Sequence, residues 1–355
     1  MKKNWIVVPV LMVLTAIGAV AAVPGLRHVF SPRPEVVPDR AMQARVIDTL
    51  VAKLNDHYVF PDKARKMGAV LRQRLHEGKY DGIRSGYRLA QRLTADLHGV
   101  ARDLHMVVRF APGIDLTEEA DGPATRAEWE QRNNFVMRSI ERHMATRGVL
   151  RVGRLGSDIG YLKISGFPDA FLMADKYAAA MDALADSDGL ILDLRDNRGG
   201  DPQAVVLLIS YFVDGRTRLN DIWDRETGNT IQHWTQDKLD GRRYGGKKPV
   251  LILAGPGTAS AGEDFTYTMQ ALRRATVVGE RTWGGAHPVD IHRIGEHFFA
   301  QIPSQRSISP ITGTDWEGVG VIPDIEATPE SALGVARKLM RRRLQESAPL
   351  VAAGP

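Results

Sequence analysis

The chain is 355 residues long, with 47 Lys and Arg against 42 Asp and Glu, a formal charge of +5, 43% hydrophobic residues and no cysteine. That length and apolar content suffice for one ordinary domain plus a smaller one. The missing cysteine excludes a thiol nucleophile, Cys-ligated zinc and every disulfide.

Lys2-Lys3 precede an uncharged stretch from Trp5 to Val23, in which Ala19-Val20-Ala21 offers a small-x-small cleavage site. Residues 1–22 therefore read as a secretory signal peptide. The stretch also approaches the roughly 20 residues that span a bilayer, so an uncleaved membrane anchor is the alternative. On either reading the remainder is exported, to the periplasm or beyond, with membrane association if the segment stays. Residues 23–40 contain Ser31-Pro-Arg-Pro-Glu-Val-Val-Pro38, a proline-stiffened linker.

From Ala41 the apolar spacing turns helical. Val46, Leu50, Val51, Leu54 and Tyr58 make one stripe. Ala64, Met67, Val70 and Leu71 mark a second helix from Pro61 to His76. Leu89, Leu93 and Leu97 mark a third from Tyr87 to Leu97. Three short amphipathic helices bury their stripes best as a bundle. Alternation then predicts a strand over Asp103–Phe110 with His105 at its entrance, which closes a helical domain over 41–115. Residues 116–147 read as a connector with a helix from Arg126 to His143.

After Gly148 the pattern becomes α/β and continues to about residue 330. Val149–Val152 and Ile159–Ile164 read as paired strands, followed by a helix through Met173 to Leu184. Gly189–Leu194 is apolar without alternation, so the strand is expected to be buried on both faces. It empties into Arg195-Asp-Asn-Arg-Gly-Gly200, and a helix begins near Asp201-Pro202. The same unit recurs: the strand Pro249–Ala254, a loop Gly255–Ala259, and a helix with Ala261, Phe265, Met269 and Leu272 at helical spacing. Thr276–Glu280 and Phe298–Ile302 are further strands. Residues 331–355 hold the end of a C-terminal helix that starts near Pro329 and a tail expected to be disordered. That helix carries much of the basic excess, in Arg337-Lys338 and Arg341-Arg342-Arg343, without interleaved aromatics. Such a run fits a solvated face, not a nucleic-acid site.

Ser260 thus stands where a strand turns into a helix. Its hydroxyl would lie beside free N–H groups at the positive end of the helix dipole, a good place to stabilise an oxyanion. A plain helix N-cap is the competing explanation, since serine is favoured there for hydrogen bonding alone. The glycines of the earlier loop are either turn-formers or points of close backbone approach to a substrate.

Four stretches carry a resemblance: Asp193-Leu-Arg-Asp-Asn-Arg-Gly-Gly200, Thr258-Ala-Ser-Ala-Gly-Glu263, Gly279-Glu-Arg-Thr-Trp-Gly-Gly285 and Glu317-Gly-Val-Gly-Val-Ile-Pro-Asp324. In order and spacing they are similar to the carboxy-terminal-processing (tail-specific) serine peptidases. Within that family the chain looks most like the branch holding the interphotoreceptor retinoid-binding protein modules and the tricorn protease core, over about Ala41 to Pro329. The resemblance implies an α/β fold with a crotonase-like (ClpP/crotonase-type) core behind a small helical domain, and a polypeptide substrate. It assigns Ser260 as nucleophile, with the N–H groups of Gly199 or Gly200 and of Ala261 as oxyanion hole. The processing peptidases resemble a Ser–Lys dyad, but Gly285 stands at the lysine position and no lysine occurs between Lys248 and Lys338. The tricorn-like branch resembles a Ser–His pair aided by a second serine and a glutamate. His105 matches that histidine and Glu317 the acid, whereas Leu104 replaces the second serine. Asp103 would orient His105 in its place. Tricorn-like relatives assemble, so an oligomer fits the resemblance.

The chemistry favours this set independently. A serine hydroxyl is a poor nucleophile near neutral pH and needs a base within hydrogen-bond reach. Histidine suits that task and can return the proton to the leaving amine. Among the other histidines, His57, His76, His98 and His143 fall in helices and read as surface residues. His287, after the glycine loop, would line the cleft with Trp283 and Gly285. An α/β-hydrolase elbow is disfavoured by Thr258 where that turn needs a small residue. No H-E-x-x-H cluster and no phosphate-binding loop occurs, so no metal or cofactor is expected. The competing function is that of the retinoid-binding relatives, a carrier of apolar ligands in which Ser260 is only a cap.

Overall fold

The structure, a computed structural model, describes residues 36–112 and 148–347. The leader or anchor segment, the connector helix and the disordered tail anticipated above lie outside the described residues. Along the chain run α1 (Arg40–His57), α2 (Pro61–His76), α3 (Gly86–His98) and β1 (Val107–Phe110). Next come β2 (Val149–Arg154), β3 (Ile159–Ile164), α4 (Ala170–Leu184), β4 (Gly189–Asp193) and α5 (Pro202–Ser210). The remainder comprises β5 (Arg218–Asp224), β6 (Thr230–Trp234), β7 (Val250–Ala254), α6 (Ala261–Ala271), β8 (Thr276–Gly279), β9 (Val289–Arg293), β10 (Phe298–Pro303), β11 (Gln305–Ile308), β12 (Ile325–Glu326) and α7 (Ala332–Ser347). No helix among the described residues is long and apolar enough to cross a membrane.

The chain divides into two compact units. Unit 1 holds the described residues up to 112 together with 222–231 and 287–307. Unit 2 holds residues 148–221, 232–286 and 308–347.

Unit 1 is the helical bundle with a small sheet of its own. Asp39 caps α1 by accepting from the Met42 N–H at 2.7 Å, and Pro61 opens α2 where its missing N–H costs nothing. Helices α1 and α2 come close because Gly68 has no side chain: a Cβ there would lie 2.8 Å from Val51 Cγ1. Val46, Ile47, Leu50, Val51 and Leu54, all at most 1% exposed, form one core with Phe298, Ala300 and Ile302. The latter three alternate along β10, which pairs antiparallel with β1 on one side and β9 on the other. A four-residue strand cannot stand alone. Its partner comes from residues read along the sequence as part of the α/β stretch, so the bundle is not contiguous in the chain. β1 is also shorter than the alternation suggested, because residues 103–106 form a turn closed by Met106 N–H on the Asp103 carbonyl at 3.1 Å. His105 sits in that turn.

Unit 2 is the mixed α/β core. Its six-stranded sheet runs β12-β8-β7-β4-β3-β2. The pairs are parallel except β2 with β3. Leu190, Leu192 and Leu194 turn towards α4, α5 and α6, while Ile191 faces Ala332, Ala336 and Met340 of α7. β4 is therefore buried on both faces, as its unbroken apolar run required. Adjacent parallel strands β4 and β7 each empty into a loop and then a helix, α5 and α6, and open parallel sheets place their sites at that edge.

Candidate active site

The two loops interlock through backbone and short polar side chains. The Ala259 N–H donates to the Asn197 carbonyl at 2.9 Å. The Thr258 hydroxyl donates to the Leu194 carbonyl at 2.8 Å and accepts from the Gly255 N–H at 3.1 Å. Asn197 is wholly buried; its amide donates to the Ile164 carbonyl at 3.2 Å and its oxygen accepts the Gly199 N–H at 2.9 Å. The glycines are required where the loops meet. Gly199 has φ +89°, and a Cβ on it would lie 2.7 Å from Ser260 Cβ and 3.0 Å from the Ala261 nitrogen. Gly200 has φ +143°, and its Cβ would fall 1.9 Å from the Phe167 carbonyl oxygen.

Ser260 is the N-cap of α6, half-buried, with φ +53° and ψ −123°. For a residue with a Cβ this is a strained conformation, of the kind that turns a strand sharply into a helix with the side chain at the apex. Among the described residues no hydrogen bond is recorded to the N–H of Ala261 or of Gly200. The N–H of Gly199 is given to Asn197, so of the two glycines it is Gly200 whose amide remains for an oxyanion.

Behind the serine lies a residue that the motif did not single out. Glu263, fully buried, accepts four hydrogen bonds. Its Oε2 takes the Ser260 and Gly285 N–H groups, both at 3.0 Å. Its Oε1 takes the Thr282 hydroxyl at 2.5 Å and the Gly284 N–H at 2.6 Å. Burial pushes this carboxyl above the usual glutamate value against the pull of those donors. The spacing Ser260-Ala-Gly-Glu263 is a capping-box signature, and that signal was available in the sequence. Glu263 thereby ties the serine to the loop Arg281–Ala286. The same loop is held from its other side: the Trp316 indole donates to the Gly285 carbonyl at 2.8 Å, and Glu317 Oε2 accepts the Ala286 N–H at 2.6 Å. Trp283 remains 38% exposed. In unit 2, then, Ser260, Ala261, Gly199, Gly200, Gly285 and Glu317 belong to one bonded set of loops.

Among the described residues, every histidine except His233 lies in unit 1. Burial pushes the His105 imidazole down to about 4, which keeps it neutral at physiological pH. The Asp103 carboxylate, which acts electrostatically on His105, also pairs with His287: Oδ2 lies 2.8 Å from Nδ1, with both side chains 3% exposed. The Tyr58 hydroxyl donates to the same oxygen at 3.3 Å, and the Phe60 ring meets His287 edge-on at 5.5 Å. His287 is therefore buried beside the Asp103 carboxylate within unit 1, where the sequence reading had it lining a cleft with Trp283 and Gly285. Neither His57 nor His98 is a free surface residue: His57 stacks on His292 with centroids 4.1 Å apart, and His98 Nε2 lies 2.8 Å from the Met106 carbonyl. The Asp103–His287 pair joins residues 184 apart and had no local signal.

Comparison with known proteins agrees with the motifs. Residues 158–327 match the model described as peptidase family S41, and residues 33–141 match that of the N-terminal domain of Peptidase_S41 in eukaryotic IRBP. The carboxy-terminal-processing protease of Bartonella bacilliformis is 27% identical over 184 residues, covering 48% of this chain and 39% of that protein. Tricorn protease homolog 1 of Streptomyces coelicolor is 30% identical over 141 residues, covering 39% of this chain and 12% of that one. The chain thus spans about two fifths of the first relative and about a tenth of the second. In fold, a lipoprotein from Streptococcus agalactiae aligns with a TM-score of 0.55 and 14% identity over 88% of this chain and 98% of its own. The tricorn protease aligns with a TM-score of 0.52 and 14% identity over 86% of this chain and 37% of its own. By these matches, and by the four motifs now placed on one bonded framework of loops, the chain belongs to peptidase family S41.

Proposed function

We propose that this protein is an exported serine peptidase that cleaves polypeptides with Ser260 as nucleophile. The observation that carries the reading is the Ser260 backbone, held at φ +53° beside a glycine loop whose Cβ-less face touches it. A residue that only caps a helix has no need of such strain. In the reaction the Ser260 oxygen bonds to the substrate carbonyl carbon as its proton passes to a histidine. The carbonyl oxygen becomes an oxyanion received by the N–H groups of Ala261 and Gly200. Collapse then breaks the C–N bond, the amine takes the proton, and water repeats the sequence on the acyl-enzyme.

His105 is the proposed base and Glu317 the supporting acid, as the family resemblance implies; a Ser–Lys dyad lacks its lysine. Export rests on the Lys2-Lys3 and apolar leader pattern, with an uncleaved anchor as the variant that would keep the protein at a membrane. Burial lowers the His105 pKa to about 4, which makes that imidazole a weak base, and a carrier of apolar ligands is the alternative reading. A fluorophosphonate probe decides between them. The peptidase reading expects a single label on Ser260 of the folded protein, lost in Ser260→Ala, and loss of peptide hydrolysis in His105→Ala. Folded wild-type protein that takes no label leaves the carrier. Hydrolysis retained by His105→Ala removes His105 from the mechanism.

A further inference from the structure

One carboxylate in unit 2 caps two helices. Asp201 directly follows Gly200 and is 5% exposed. Its Oδ1 accepts the Gln203 N–H of α5 at 2.9 Å, the ordinary bond of a helix N-cap. Its Oδ2 accepts the Ala170 N–H, the first amide of α4, also at 2.9 Å. Asp169, the residue at the N-cap of α4, makes no side-chain cap bond, so that helix takes its cap from the glycine loop. Capping α5 uses one oxygen of Asp201; the other reaches back 31 residues.

The same two segments are laced together through their backbones. The Asn197 amide donates to the Ile164 carbonyl at 3.2 Å, and the Arg198 N–H to the Ser165 carbonyl at 3.2 Å. Phe167 then bridges Gly200 in the parallel sense. Its N–H donates to the Gly199 carbonyl at 2.9 Å, and its own carbonyl accepts the Asp201 N–H at 2.6 Å. Both peptide planes that meet at Gly200 are thereby held, the first through its oxygen and the second through its nitrogen.

This fixes the direction of one amide. In a trans peptide the C=O and N–H point opposite ways, and none of the described peptide bonds is cis. The Gly199 carbonyl points at Phe167, so the Gly200 N–H points away from that segment, and it is the amide left for an oxyanion. Gly200 adds no restraint of its own, because at φ +143° a residue without Cβ rotates more freely than any other. Its aim depends on the ties to either side: Asn197 before it, and Asp201 where the chain leaves the loop for α5.

We propose that Asp201 is a positioning residue for the oxyanion hole, whose one carboxylate clamps the Phe167–Ala170 segment to the glycine loop and keeps the Gly200 N–H aimed. The inference deepens the peptidase reading above and rests on it. Asp201 touches no substrate atom. Without its carboxylate the segment before α4 is released and the Gly199–Gly200 plane is free to turn, while Ser260 stays held by Glu263. A donor that must reorient as charge develops loses much of its effect on the transition state.

The test compares labelling by a small fluorophosphonate and by its thio counterpart, which differ only in P=O against P=S. In each, the Ser260 oxygen bonds to phosphorus, fluoride leaves and the serine proton passes to the base. Backbone N–H groups bond strongly to a developing oxyanion and weakly to sulfur, so the ratio of the two rates reports the oxyanion donors. Protein lost to unfolding lowers both rates alike and leaves the ratio unmoved, which separates aim from mere helix capping. In Asp201→Ala the P=O over P=S ratio should fall about 10- to 100-fold from wild type, less than the ~10²–10³ of a donor removed outright. Asp201→Asn remains a good N-cap for α5 but turns an amide nitrogen towards one of its two N–H groups, and its ratio should fall between. A wild-type ratio in either soluble variant overturns the assignment, and Asp201→Asn carries the test if the alanine variant does not fold. If wild-type protein labels and the variants keep its ratio, only the role of Asp201 falls. If wild-type protein takes neither probe, the peptidase reading falls and takes this role with it.

Discussion

Replacing Ser260 by glycine should make the protein more stable, and the sign of that change tests the site. The native φ of +53° with ψ −123° carries strain of roughly 1–3 kcal/mol for a residue with a Cβ. Glycine adopts that conformation freely but adds roughly 0.5–1 kcal/mol of backbone entropy to the unfolded chain. Losing a serine at an N-cap costs a few tenths more. The balance is a gain of about 1 kcal/mol for Ser260→Gly, worth about 2–4 °C in melting temperature. Ser260→Ala keeps the strain and should lie at or below wild type. An ordinary N-cap serine gives the opposite sign for glycine, because nothing is relieved and both penalties remain. Urea unfolding followed by tryptophan fluorescence measures the difference, with Trp283 and Trp316 standing in the loops tied to this turn. A Ser260→Gly protein less stable than wild type refutes the claim that the turn is strained, and with it the observation on which the peptidase reading stands.

The remaining predictions concern the groups around that turn and the bundle. Glu263→Gln puts an amide nitrogen where two donors now point; losing one buried acceptor should cost about 1–3 kcal/mol in unfolding free energy and slow Ser260 labelling, and equal stability would show the four bonds to be dispensable. Gly200→Ala, with its Cβ 1.9 Å from the Phe167 oxygen, should fail to give soluble folded protein or melt far below wild type. Asp103→Asn leaves His287 without its carboxylate in an enclosed site, and a double-mutant cycle with His287→Gln should return a coupling of about 1–3 kcal/mol; additivity would mean that the pair contributes nothing. Burial holds His105 and His292 down at about 4. Since unfolded histidine takes its proton near 6.5, unit 1 should be fully stable above that pH and lose stability as pH falls from about 6.5 towards 4. His292, which faces His57, Lys53 and Asp56, is tested by His292→Gln, whose melting temperature should fall less steeply over the same window.

The legible parts of this fold were those that depend on neighbours in sequence. α2 begins at Pro61 and ends at His76 as its apolar spacing and flanking proline require. β4 is buried on both faces because Gly189-Leu-Ile-Leu192, four apolar or small residues in a row, leave no face for water. Ser260 falls at a strand–helix turn for the same local reason. The partner of β1 was not legible, because Val107 meets Gln301 across almost two hundred residues, and a four-residue alternation does not specify a distant strand. Nor was the second partner of the Asp103 carboxylate: proximity in sequence pointed to His105, and the folded chain also brings His287 to 2.8 Å. The status of Gly199 and Gly200 was half legible. Their freedom of φ was implied, but only the Asn197 side chain decides that one amide is taken and the other left.

That last detail bears on why the serine can be strained at all. A backbone outlier persists only where its surroundings over-determine it. Ser260 is fixed from three sides: Ala259 to the Asn197 carbonyl, the Ser260 N–H to Glu263, and the Asp264 N–H to the Ser260 carbonyl. The glycine loop supplies the first and is itself fixed by Asn197 and by the Phe167 N–H on the Gly199 carbonyl at 2.9 Å. Glu263 supplies the second and commits the loop Arg281–Ala286 to the same framework. A binding cavity for an apolar ligand gains nothing from holding one hydroxyl-bearing residue in a costly conformation with these loops locked around it. A nucleophile does gain, because an attacking oxygen set in advance against the amides that will receive the oxyanion needs no rearrangement as charge develops. The arrangement of unit 2 therefore supports the proposed acyl transfer over simple containment.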